Sequence, residues 1–139
     1  MPLGKQGRRI KVGKNTFRSS WECYVNKLML YNDIKFLYEP KRFFFPKLKL
    51  SYLPDFYLPD YNLHIEVKGV LTAKDVLQIT ALSKIAKVLY LGEHELALIT
   101  GKPASYISKI KGITKYIPNE QELQKFKQLV EGAANHGKN

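Results

Sequence analysis

The chain has 139 residues, 45% of them hydrophobic and 25% charged, which is material for one buried core and not for two. No apolar run approaches the roughly 18 residues of a membrane span, and Cys23, the single cysteine, excludes an internal disulfide and a thiolate zinc site. A formal net charge of +11 favours a polyanionic partner, because a protein that neutralises phosphates releases the counterions condensed on them.

Residues 1–16 mix Pro2, Gly4, Gly7 and Gly13 with Lys5, Arg8, Arg9, Lys11 and Lys14. Such a stretch buries too little apolar area to offset the entropy of ordering, which predicts a flexible basic arm. It carries no secretory signal, so the expected location is the cytoplasm. From Phe17 to about Tyr31, the residues Phe17, Trp21, Val25, Leu28 and Met29 recur at helical spacing and predict an amphipathic helix. Ile34 to Tyr38 has strand character, and Lys41 to Tyr52, interrupted by Pro46, suits an edge strand or connector. Leu53–Leu58 and Leu63–Lys68, separated by the turn formers Pro59-Asp60-Tyr61-Asn62, predict a β-hairpin. Thr72 is placed to cap a helix running to roughly Leu91, with a strand over Val88–Leu91 as the alternative for its end. Glu95–Thr100 reads as a strand, Ala104–Lys111 as a short basic helix stopped by Gly112, and Ile113–Ile117 as another extended piece. Asn119 caps a last helix that Gly132 is expected to stop. The whole is an α/β fold with a central mixed sheet flanked by helices. One domain spans 17–131, followed by a disordered tail over 132–139.

Chemistry enters at the hairpin. With a four-residue turn the strands pair Leu58 with Leu63 and Phe56 with Ile65, which sets Asp55 opposite Glu66. Opposed residues share a face with Cβ atoms about 4.5 to 5.5 Å apart, and Lys68 joins them two residues on. Phe56, Leu58, Leu63, Ile65 and Val67 line the other face and belong to the core. Facing carboxylates repel, so the arrangement suits a hard divalent cation, with a lysine beside the attacking water of a hydrolysis. The plain alternative is a solvated hairpin face on which Lys68 screens Glu66. Tyr52-Leu53-Pro54-Asp55 repeats as Tyr57-Leu58-Pro59-Asp60; Asp60 falls in the turn, so Asp55 is the candidate. Glu22 also fits a capping box, Ser19-Ser20-Trp21-Glu22.

A glutamate early in the first helix, Pro54-Asp55 in a strand and Glu66-Val67-Lys68 at the end of the next form an ordered set that resembles the PD-(D/E)XK nuclease superfamily. The surrounding residues are similar to a narrower group, the endonuclease I family of T-odd bacteriophages, which resolves four-way (Holliday) DNA junctions. They are Lys11-Val12-Gly13, Phe17-Arg18-Ser19 before Glu22, Ile34-Lys35-Phe36 with Tyr38-Glu39, Pro54-Asp55-Phe56 with Leu58-Pro59, and Glu66-Val67-Lys68-Gly69. The resemblance implies a restriction-endonuclease-like fold and a homodimer that exchanges strands through the connector 34–52. It implies catalysis by Glu22, Asp55, Glu66 and Lys68 with two Mg²⁺ or Mn²⁺ ions per site: one held by Asp55, Glu66 and Val67, the other by Glu22 and Asp55. Pro40 and a shorter segment between Glu39 and Asp55 depart from that family. Expected DNA contacts are Lys5, Arg8, Arg9, Lys11, Lys14, Arg18, Lys41, Arg42, Lys109 and Lys111. A homing endonuclease on the same scaffold and a basic DNA-binding protein without catalysis are the rival readings. No small-molecule cofactor is expected.

Overall fold

A computed structural model describes residues 9–135. Its centre is a four-stranded mixed sheet. β1 (Ile10–Val12) and β2 (Asn15–Phe17) form a separate hairpin turned at Gly13, which adopts φ 62. The flexible arm expected over 1–16 is thus corrected from Ile10 onward, because Ile10 and Val12 pack against the core and the buried Phe17 anchors the hairpin. Lys5 and Arg8 lie outside the described residues. α1 (Ser20–Tyr31) follows, its N-terminus capped by the Ser19 hydroxyl, which accepts from the Glu22 amide at 3.1 Å. Only Leu37–Tyr38 of the strand expected from Ile34 pairs, as β3, while Ile34 is buried in the core.

The segment expected to be an edge strand or connector is itself a hairpin, β4 (Phe43–Phe45) with β5 (Leu50–Tyr52). The next hairpin, β6 (Phe56–Leu58) with β7 (Leu63–Val67), has the predicted register, Phe56 to Ile65 and Leu58 to Leu63. The two hairpins repeat one device. Phe45-Pro46 and Leu58-Pro59 each lead into a single 3-10 turn, proline supplying φ for its first position, and the turn closes on a left-handed residue, Lys49 at φ 51 or Asn62 at φ 49.

α2 (Ala73–Ser83) starts at Thr72 with a reciprocal cap: the Thr72 hydroxyl accepts from the Asp75 amide, and the Asp75 carboxylate from the Thr72 amide. The helix expected to reach Leu91 ends early. Lys87–Leu91 is β8, parallel to β7, so β7–α2–β8 is a crossover and the sheet order is β3-β6-β7-β8. α3 (Glu93–Thr100) replaces the strand expected over Glu95–Thr100. The Gly92 amide donates to Glu95, two glutamates sit at the positive helix end, and Leu96 and Ile99 bury one side. α4 is only Ser105–Ser108, and the extended piece expected over Ile113–Ile117 is a 3-10 turn, Ile113–Lys115, entered through Gly112 at φ 66. α5 (Glu120–Asn135) is capped by Asn119 and runs through Gly132. The expected stop fails because Ala134 is buried and its carbonyl accepts from Lys87 Nζ at 2.6 Å; 136–139 lie outside the described residues.

The core joins Phe56, Leu58, Leu63, Ile65, Val67 and Leu91 of the sheet to Tyr24, Val25, Leu28 and Met29 of α1, Leu96 and Ile99 of α3, and Phe126 and Val130 of α5. The opposite face is covered too. Phe43 of β4 meets His64 edge-on at 5.2 Å, and α2 buries Ala81 and Leu82 outside the main cluster. Every residue of β7 is buried, including His64 and Glu66. The fold is therefore α/β with helices on a mixed sheet, and the carboxylate face is roofed where the alternation of charged and apolar residues had left room for an open, solvated one.

Candidate functional site

The first turn of α1, the start of β6, the end of β7 and the N-terminus of α2 meet at one cleft of about 830 Å³. Glu22, Asp55, Glu66 and Lys68, which lie up to 46 positions apart in sequence (68 minus 22), all line it. So do Val67, Arg18 and Arg42. Of the remaining expected DNA contacts, Lys109 follows Ser108, which lines the cleft and whose hydroxyl meets that of Ser20 at 3.3 Å. Lys11 and Lys14 are exposed on the β1–β2 hairpin; Arg9, Lys41 and Lys111 are exposed away from the cleft lining.

Three of the four are buried carboxylates: Glu22 is 5% exposed, Asp55 4% and Glu66 9%. Each is oriented by a fixed donor. Asp55 Oδ2 accepts from the Val67 amide at 2.8 Å, Glu66 Oε1 from the Tyr52 hydroxyl at 2.8 Å, and Glu22 Oε1 from the Tyr38 hydroxyl at 2.9 Å and the Arg18 amide at 3.0 Å. Burial pushes the Asp55 carboxyl well above its usual range, and the Glu66 and Glu22 charges push it further, against the Val67 amide and Arg18. Burial likewise raises Glu66, to about 7, opposed by the Tyr52 hydroxyl, the Asp55 amide and Lys68. The positive charge at hand is small. Arg18 pairs with Glu39 and stands 3.7 Å from Asp55 Oδ1, and Lys68 Nζ reaches out to Asp75 Oδ1 at 3.4 Å.

Two carboxylates brought together in a low-dielectric cleft without an equal buried countercharge repel, and a bound proton or a bound cation would relieve them. Among the described residues no group of three or more His, Cys, Asp and Glu side chains converges tightly enough to cage an ion alone. The donor chemistry fits a hard ion nonetheless, since Mg²⁺ is held by one or two carboxylates and completes its shell with water and phosphate oxygens. Asp55 Oδ1 accepts no hydrogen bond among the described residues, and Asp55 and Glu66 both open on the cleft.

Sequence reasoning missed the residues that hold the carboxylates. Tyr38 and Tyr52 sit in segments read only as strand or connector, and their hydroxyls, pushed up by burial and the neighbouring carboxylates, stay protonated as donors. Asp75 was missed as the partner of Lys68. Trp21 packs where Gly69 leaves room, since a Cβ there would lie 3.3 Å from the indole ring. Tyr90 donates to the Lys68 carbonyl at 2.6 Å, folded back over Gly92, whose missing Cβ would sit 2.4 Å from that hydroxyl. The signal for both glycines was in the sequence, but the ring each accommodates was not.

Scans of protein-family models and searches of curated proteins and solved structures find no match to this chain. Among the described residues no helix is long and apolar enough to cross a membrane.

Proposed function

We propose that the chain is a metal-dependent DNA endonuclease of the PD-(D/E)XK type that hydrolyses phosphodiesters of branched, junction-like DNA. The observation that carries this is the pair Asp55 and Glu66, buried together with carboxyls raised above their usual range in a cleft that Arg18 and Arg42 also line. A structural role for the pair would waste stability on unscreened repulsion, whereas a cation and a phosphate between them use it. Asp55, Glu66 and the Val67 main chain would hold one Mg²⁺, and Glu22 with Asp55 a second. Bound there, the ions would polarise the phosphate and lower the pKa of the attacking water.

The chain's own groups do the rest. Tyr52 and the Val67 amide fix the carboxylates in place, so their reorganisation cost is met on folding. Arg18 and Arg42 meet the phosphate backbone with planar, permanently charged donors. Lys68, held at the rim by Asp75, orients the water that attacks phosphorus as the leaving oxygen departs. The restriction-endonuclease-like fold and the homodimer belong to this proposal. One chain already brings Glu22 to Asp55 and Glu66, so exchange of strands through 34–52 would rebuild between subunits contacts that form within one.

A synthetic four-way junction and a linear duplex of matching sequence, each offered with Mg²⁺, Mn²⁺ or EDTA, test the reading. Junction-selective cutting that EDTA abolishes supports it. Cutting at rare duplex sites alone supports a homing endonuclease, and binding with no cleavage in either metal supports a non-catalytic DNA-binding protein.

A further inference from the structure

Between Glu39 and Asp55 the chain carries Lys41, Arg42, Lys47 and Lys49 and no acidic residue. This segment is the β4–β5 hairpin, in which Phe43 pairs with Tyr52, Phe44 with Ser51 and Phe45 with Leu50. Alternation divides its side chains. The inner face is committed: Tyr52 is buried on Glu66 and Phe43 stands edge-on to His64. The outer face holds Phe44, 70% exposed, beside Ser51 and Arg42, whose Nη1 donates to the Ser51 hydroxyl at 3.4 Å. Arg42 also lines the carboxylate cleft. Beyond Phe44, the turn exposes Lys47, Leu48 and Lys49. A line therefore runs from the carboxylates through an arginine to an exposed aromatic ring and then to two lysines.

A lone exposed phenylalanine is ordinary on a protein surface. This one is flanked on both sides by cations, and an apolar protein partner would have to desolvate them, whereas a base between phosphates matches ring and charges together. We propose that the β4–β5 hairpin is a DNA-docking element in which Phe44 stacks on an unstacked base while Arg42, Lys47 and Lys49 hold the flanking phosphates. The inference rests on the cleft acting on DNA and adds what selects the substrate. In continuous B-form duplex each base is covered on both faces, so the ring must break a base stack to gain one. At a branch, gap or unpaired base a face is already free, and Phe44 favours such DNA. The hairpin is also clamped: Gln78 Nε2 donates to the Ser51 carbonyl at 2.7 Å, and Tyr52 is bonded to Glu66. A base docked on Phe44 thus sits at a fixed offset from Asp55 and Glu66.

The test measures binding rather than cutting, with the full chain in EDTA, by fluorescence anisotropy on a duplex carrying two unpaired bases and on the same duplex without them. Phe44→Ala should lose about 5- to 150-fold on the interrupted DNA, the range for one base–aromatic stack, and Phe44→Trp should restore it. On the intact duplex both variants should match the wild type. Lys47→Gln with Lys49→Gln should weaken both DNAs alike and flatten the log–log salt slope by about 2. A 2-aminopurine at the unpaired position should be quenched by the wild type and Phe44→Trp but not by Phe44→Ala. Equal binding of wild type and Phe44→Ala to the interrupted duplex overturns the hairpin proposal even if the protein cuts DNA. A wild type that binds neither DNA overturns the nuclease reading with it.

Discussion

Replacing Glu66 by glutamine should stabilise the protein at pH 8 and destabilise it at pH 4, a reversal that only a strained carboxylate produces. In the folded chain Glu66 holds its proton up to about 7, against an ordinary value of 4.5. Its charged form is thus disfavoured in the fold, and the penalty is absent below about pH 4.5, grows through the interval and is complete above 7. At 1.36 kcal/mol per pH unit, that displacement corresponds to a ceiling of about 3 kcal/mol. Glutamine never ionises and still accepts from Tyr52 through its carbonyl, but it buries an amide NH₂ that costs roughly 1 kcal/mol if unpartnered. The balance is about +2 kcal/mol at pH 8 and about −1 kcal/mol at pH 4, passing through zero slightly above pH 5. For a domain of this size it amounts to a rise of roughly 8 °C in Tm at the higher pH and a fall of a few degrees at the lower. Thermal melts of both proteins in EDTA across this range measure it. Millimolar Mg²⁺ at pH 8 should then raise the wild-type Tm and leave Glu66→Gln nearly unmoved. A variant less stable than the wild type at both pH values would refute the reasoning, because it would mean that the fold already compensates the Glu66 charge.

Tyr52→Phe removes the hydroxyl that favours ionised Glu66, so the acid limb of cleavage should move to higher pH with an unchanged plateau; a pH–rate profile under single-turnover conditions reads this. Lys68→Ala should abolish cleavage while melting within about 0.5 kcal/mol of the wild type, since the side chain is 45% exposed and its pairing with Asp75 is a surface contact. Gly92→Ala forces the Tyr90 ring off the Lys68 carbonyl and should cost about 1 to 3 kcal/mol in urea unfolding, whereas Gly92→Ala with Tyr90→Phe, which removes the displaced hydroxyl, should recover part of it.

How much of this was legible in the sequence depended on the range of the interaction responsible. The β6–β7 register followed from a four-residue turn and a two-residue period, both local; the observed pairing ends at Phe56 with Ile65, and Asp55, expected within the strand, lies just before it where the Glu66 charge still acts on it. Thr72 and Asn119 were readable as caps because each bonds an amide three residues away. Glu95–Thr100 failed because six apolar-rich residues carry no period of their own, and what makes them helical is Gly92 and Glu93 just upstream. The arm failed from Ile10 onward because its hairpin depends on packing against the core, which composition does not register. At the site, the carboxylates announced themselves by type and order. Tyr38, Tyr52 and Asp75, which orient them or their lysine, did not, since each reaches its partner only once separate elements are folded together.

The central claim is that Asp55 and Glu66 form a cation site used to cut DNA, and its most direct measurement is a Mg²⁺ titration of wild type and Asp55→Asn on a labelled four-way junction, reading binding and cleavage in the same samples. The account predicts that wild-type cleavage rises and saturates with Mg²⁺, while Asp55→Asn binds the junction at least as tightly and cuts nothing at any concentration. Cleavage by Asp55→Asn at the wild-type rate, or wild-type cleavage indifferent to Mg²⁺ and EDTA, would contradict it.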